Sequence, residues 1–128
     1  GRMMDAVADA DVIITNPEHF SVALAYDPSR DSAPTVIAKG GDLVALAIRE
    51  KASDASVPLF ASPLLARALY FTTEVNESVP ESLYYAVAQV IAYVFSLSTF
   101  EAGGQGISRP NPEIPGDLRF DSNGNLQS

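Results

Sequence analysis

The sequence predicts a small α/β domain, a mixed sheet of about four strands covered by about four helices, with a flexible tail at the C-terminal end. Three observations carry that expectation. In "FSVALAY" (20–26), Phe20, Val22, Leu24 and Tyr26 alternate with Ser21, Ala23 and Ala25, the period of two of a strand with one large-residue face. In "VPESLYYAVAQVIAYVFSL" (79–97), Leu83, Val87, Val90, Ile91 and Val94 form one apolar stripe of a helix. After Ser98 both periods stop.

The elements follow in order. "RMMDAVADA" (2–10) is rich in Ala and Met and has helical character, and "DVIIT" (11–15) is β-branched and apolar, as a buried strand would be. "DPSRDSAP" (27–34) is dense in turn formers, so the strand at 20–26 runs into an exposed loop before a third strand, "TVIAK" (35–39). "GGDLVALAIREKASDAS" (40–56) reads as a helix. Asp42 is its expected N-cap, Arg49 and Lys51 suit the C-terminal end of the dipole, and Leu43, Val44, Leu46 and Ala47 are its expected core face. "VPLFA" (57–61) is a short strand whose Pro58 implies an edge or an end. Ser62 and Pro63 open a helix over 62–72, with Pro63 at the first position, where a missing N–H costs nothing; Pro80 repeats that start before 79–97. Residues 1–98 form the expected domain. Residues 99–128 hold five of the eight glycines and three of the nine prolines, with few large apolar residues, so burial is not expected to offset their ordering entropy.

Composition narrows the function. The 128 residues suit one compact domain, and 47% hydrophobic content is globular. A net charge of −8 argues against nucleic-acid binding and against a polybasic membrane-surface patch. With no cysteine there is no disulfide or thiolate metal site, and with one histidine any histidine chemistry must use His19. No metal or cofactor is expected. No apolar run approaches the roughly 20 residues of a membrane span, and no signal peptide is visible. The opening "GRMM" is not a plain initiator Met, so a fragment of something longer is an expectation here. The "KGGD" turn lacks both glycine-rich phosphate-loop patterns, and Glu74, Glu77 and Glu81 have no second cluster beside them, so a plain turn and a solvated helix start are expected there.

One stretch carries chemistry. "VIITNPEHF" (12–20) places an Asn-Pro pair, a charged residue and the only histidine between two apolar runs. Asn-Pro commonly starts an inert turn. Yet proline has no N–H, which closes the usual deamidation route, in which the following backbone nitrogen attacks the Asn side chain. The remaining route runs the other way. The side-chain nitrogen of Asn16 attacks its own backbone carbonyl carbon, closes a succinimide and expels the nitrogen of Pro17. A fixed near-attack geometry, a strained turn and an imidazole such as His19 would each help so weak a nucleophile.

"NPEH" resembles the Asn-Pro-Thr-His cleavage site of the FlhB/YscU family of type III secretion export-switch proteins. The surroundings are similar over almost the whole expected domain: "MMDAVADADVIITNP", "VALAYD", "APTVIAKGGDLVALAIRE", "VPLFASPLLARALY" and "VPESLYYAVAQVIAYVFSL". The details lean to the flagellar branch. The resemblance implies a cytoplasmic domain of a bacterial inner-membrane protein, preceded by an N-terminal membrane domain absent here. It implies self-cleavage between Asn16 and Pro17, with the pieces staying together, and a switch of export from rod and hook substrates to filament proteins. Asn16 would be the self-attacking residue, Pro17 the new N-terminus and His19 the assisting residue. The implied partners are FlhA-like export-gate proteins, a hook-length ruler protein and the exported rod and hook substrates. Glu18 departs from the family's usual Thr, and a carboxylate there would favour charged His19. Two alternatives stand beside this: a non-cleaving protein-binding module of the same apparatus, disabled by Glu18, and a small-molecule enzyme with His19 as base.

Overall fold

The computed structural model describes residues 1–101, 103 and 106–127. In chain order it contains α1 (Arg2–Ala6), a 3-10 turn (Val7–Asp9), β1 (Val12–Asn16), β2 (Phe20–Ala25), β3 (Thr35–Gly41), α2 (Asp42–Asp54), β4 (Leu59–Ala61), α3 (Pro63–Thr72), a second 3-10 turn (Glu81–Leu83), α4 (Tyr84–Glu101) and a third 3-10 turn (Gly116–Leu118). The four strands form one sheet in the order β3-β2-β1-β4. β1–β2 and β2–β3 are antiparallel hairpin neighbours, whereas β4 returns through α2 and pairs parallel to β1, which makes the sheet mixed. The α/β fold with four helices is therefore the one expected from the sequence.

Helices cover both faces of the sheet. Val12, Ile14, Val22, Leu24, Val36 and Phe60 point into the larger core with residues of α3 and α4. Ile13, Ala23 and Ala38 point the other way, onto Val7, Ile48, Ala52 and Val57. Burial on both faces explains why "DVIIT" is apolar without alternation. It also explains the alternation in β2, whose large residues serve one core and whose small residues serve the other. The stripe Leu83, Val87, Val90, Ile91 and Val94 is buried throughout, as expected. Glu81–Thr99 is nonetheless long and apolar enough, by length and composition, to cross a membrane. That exceeds the sequence expectation, though here the stripe packs on the sheet as a core helix does.

The core face of α2 differs from the expectation. Leu43, Val44, Leu46 and Ala47 are exposed, Leu43 by 81%, and the buried residues are Ala45, Ile48 and Ala52. The sheet offers α2 a surface of small residues, and the helix lies close against it. Ser21 donates its hydroxyl proton to the Ala45 carbonyl at 3.0 Å. At such an approach small side chains fit and leucines turn outward.

The expected tail also behaves differently. Residues 102, 104, 105 and 128 lie outside the described residues, but much of 106–127 is packed down as a strap. Ile114 is 1% exposed and belongs to the larger core. Arg109 lies 4.0 Å over the Phe60 ring and donates to the Ala61 carbonyl at 2.5 Å, Arg67 donates to the Phe120 carbonyl at 2.5 Å, and Arg119 donates to the Ile114 carbonyl at 2.7 Å. Ile114, Leu118 and Phe120, together with a few arginine–carbonyl bonds, thus hold a segment with no hydrophobic period, and its prolines lower the entropy lost on ordering. Ile114→Ala is expected to lower stability by about 2–5 kcal/mol. An unchanged urea midpoint would show that the strap does not pack in solution.

Candidate functional site

The Asn16–His19 segment joins β1 to β2 as a tight turn. Asn16 pairs with Phe20 across the hairpin, and the His19 N–H donates to the Asn16 carbonyl at 2.9 Å. Pro17 at the second position presets its φ, and Glu18 at the third takes φ +78°, as a type II turn requires. That position favours glycine; a side chain there costs about 1–2 kcal/mol. The Asn16–Pro17 bond is trans.

The residues around the turn are locked. β1 is an interior strand, held by β2 on one side and β4 on the other. The bonds reach to the turn itself: the Ser62 N–H donates to the Thr15 carbonyl at 2.9 Å. Phe20, directly after the turn, stacks against Tyr70 at 4.4 Å and meets Phe71 edge-on at 5.5 Å. Phe71 in turn rests on Phe120 of the strap at 5.5 Å and on Gly124, where an added Cβ would come within 2.9 Å of its ring at φ +83°.

Asn16 is only 7% exposed, and its side-chain nitrogen Nδ2 is buried without a hydrogen-bond acceptor among the described residues. Such a group ordinarily costs about 1–3 kcal/mol. The nitrogen is thus not engaged in a competing hydrogen bond among the described residues. The carbon it would attack belongs to a carbonyl already polarised by the His19 N–H. That N–H also sits where the developing oxyanion would need a donor.

His19 is brought to the turn, with its side chain 58% exposed. The carboxylate that approaches it is not that of Glu18, which the sequence singles out, but that of Asp42: Nδ1 lies 4.0 Å from Asp42 Oδ1. Asp42 was not legible as a site residue. It reads as a helix cap, yet the N-cap is Gly41 and no side-chain cap bond forms. Among the described residues no group of His, Asp and Glu side chains could hold a metal. A cavity of about 760 Å³ lies between α4 and the strap, and an apolar one of about 320 Å³ is lined by Tyr26, Pro34, Tyr84, Ala88, Ile91 and Phe95. Neither is lined by His19, so neither serves an enzyme with that base.

Residues 1–94 match the model of the FlhB HrpN YscU SpaS family. The chain belongs to that family. Within it the flagellar branch is the nearer. The chain is 50% identical to the flagellar biosynthetic protein FlhB of Salmonella typhimurium over 121 residues, 93% of this chain and 32% of that protein. It thus spans about a third of the length of the curated relatives it matches. Among solved structures, the cytoplasmic domain of FlhB from Shewanella putrefaciens superposes with a TM-score of 0.87 at 48% identity, covering 93% of this chain and 94% of that one. An asparagine-to-alanine variant of the EscU C-terminal domain superposes with a TM-score of 0.68 at 30% identity, covering 71% and 91%. The family match ends at residue 94, before the strap, whereas the match to the Salmonella typhimurium protein runs over 121 residues.

The left-handed backbone at Glu18 has a measurable consequence. In an Asn16→Ala background, which keeps the chain whole, Glu18→Gly is expected to raise stability by about 0.5–1 kcal/mol. Glu18→Val should lower it by about 1 kcal/mol, because β-branched residues tolerate positive φ worst. Equal urea midpoints for the two would mean that the turn does not hold this conformation in solution.

Proposed function

We propose that this chain is the cytoplasmic part of a flagellar type III export component that cuts its own backbone between Asn16 and Pro17. The cut would change export from rod and hook proteins to filament proteins. Residues 1–98 would act as the switch domain. The observation that carries the cut is the buried, unpartnered Asn16 amide, held in one strained turn with its own carbonyl.

The chemistry balances within the chain. Asn16 Nδ2 bonds to the Asn16 carbonyl carbon and loses a proton. The carbonyl oxygen carries the charge against the His19 N–H. As the bond to Pro17 breaks, the Pro17 nitrogen takes up a proton and becomes a secondary-amine terminus. Water later opens the succinimide. His19 relays the proton, while the fixed geometry lowers the entropic part of the barrier. The pieces would stay together, because β1 is paired on both sides and 17–128 holds the rest of the core. The export partners in this proposal are those that the family resemblance implies: FlhA-like gate proteins, a hook-length ruler protein and rod and hook substrates. So is attachment to the inner membrane through the chain's own N-terminal domain.

Denaturing separation followed by mass measurement should give 1–16 and 17–128 from one native particle. Asn16→Ala should give one uncut chain with the fold intact. Pro17→Ala should slow the cut and reopen deamidation. His19→Ala should slow the cut by roughly 10²–10⁴-fold without changing its position. A wild-type chain that stays whole for days at neutral pH would support the alternative, a non-cleaving module disabled by Glu18. A Pro17 terminus from Asn16→Ala would overturn the succinimide route.

A further inference from the structure

Among the described residues, four non-glycine residues have positive φ: Glu18, Asp42, Ser56 and Asn76. Two of them, distant in sequence, meet at His19. Glu18 precedes it in the turn. Asp42, at φ +51°, lies across from it, because β3 pairs with β2 in a register that sets Gly41 opposite Phe20.

The conformation of Asp42 is not required for capping α2. Gly41 is the N-cap, and the Asp42 side chain makes no cap bond. Asp42 meets His19 at two points, a backbone hydrogen bond and a longer approach between two exposed side chains. Its backbone N–H donates to the His19 carbonyl at 2.9 Å, and its Oδ1 lies 4.0 Å from His19 Nδ1. The same residue thus contacts both the backbone and the imidazole of the residue whose own N–H holds the Asn16 carbonyl. A positive φ at a residue whose side chain makes no cap bond but faces the cleavage turn is the observation from which a functional role is inferred.

We infer that Asp42 is a positioning residue for self-cleavage: its N–H pins the cleavage turn, and its carboxylate holds the His19 imidazole with the proton on Nδ1. This rests on the self-cleavage proposed above. A carboxylate facing Nδ1 fixes the ring's orientation and tautomer, which leaves Nε2 as the nitrogen free to accept a proton. The proton lost by Asn16 Nδ2 passes to Nε2 and then to the Pro17 nitrogen as the Asn16–Pro17 bond breaks. Asp42 neither gains nor loses a proton overall.

Asp42→Gly tests this without disturbing the backbone, since glycine accepts positive φ and keeps the N–H. Asp42→Asn keeps both as well and leaves a weaker acceptor in place. Cleavage after refolding should slow about tenfold in Asp42→Gly and less in Asp42→Asn, within the roughly 10²–10⁴-fold that imidazole assistance supplies in total. The urea midpoint of Asp42→Gly, measured with Asn16→Ala, should stay equal or rise. In a His19→Ala background neither substitution should slow the cut further, which a merely structural role would not produce. Wild-type rates in both Asp42 variants, or equal slowing with and without His19, would overturn the inference and leave the proposed function standing. A wild-type chain that never cuts would overturn both.

Discussion

A side-chain amide buried without an acceptor is uncommon in folded proteins, and in this one it belongs to the residue before a proline, at the end of an interior strand. β1 is held to β2 through Asn16 and to β4 through Thr15, and Asn16 itself is only 7% exposed. The turn is closed as well, because the His19 N–H donates to the Asn16 carbonyl and Asn16 pairs with Phe20. The rest of the fold serves this constraint. The sheet order places β1 inside, α3 supplies Tyr70 and Phe71 to hold Phe20, and β3 delivers Gly41 and Asp42 to the back of the turn.

The same arrangement separates the chemistry from the integrity of the domain. The bond proposed to break lies in the turn, and the hydrogen bonds that hold the strands lie on both sides of it. Losing the Asn16–Pro17 bond would remove the strain at Glu18 and the hairpin's covalent link. Both cores would stay as they are, since Val12 and Ile14 serve one and Ile13 the other. A cut turn could then become a new surface on an unchanged body, as a one-time switch requires.

Much of this was legible in the sequence. Residues 20–26 and 79–97 carry clean periods, so β2 and the buried stripe of α4 follow from them directly. The Asn-Pro-x-His stretch points to the atoms proposed to react, because proline removes the competing reaction. What stayed hidden depends on distance between elements. The face of α2 is set by how closely the helix lies on Ser21, Ala23 and Ala38, and no pattern within residues 42–54 reports that. Ile114, Leu118 and Phe120 anchor the strap as scattered apolar residues, below what any periodicity detects. Asp42 looks like an ordinary cap, and its approach to His19 exists only through the β2–β3 register. Glu18 drew attention as the departure from the family pattern, whereas its structural role is a left-handed backbone.

The central claim is that the Asn16 side chain itself breaks the chain, and the terminus of the short piece records this most directly. Mass measurement of 1–16 at early times after refolding should show a species lighter by one water, the succinimide. It should give way to a mixture of normal and rearranged C-terminal asparagine. A short piece ending in ordinary asparagine from the first time point, with no lighter precursor, would mean that water attacks the bond directly and would contradict the account.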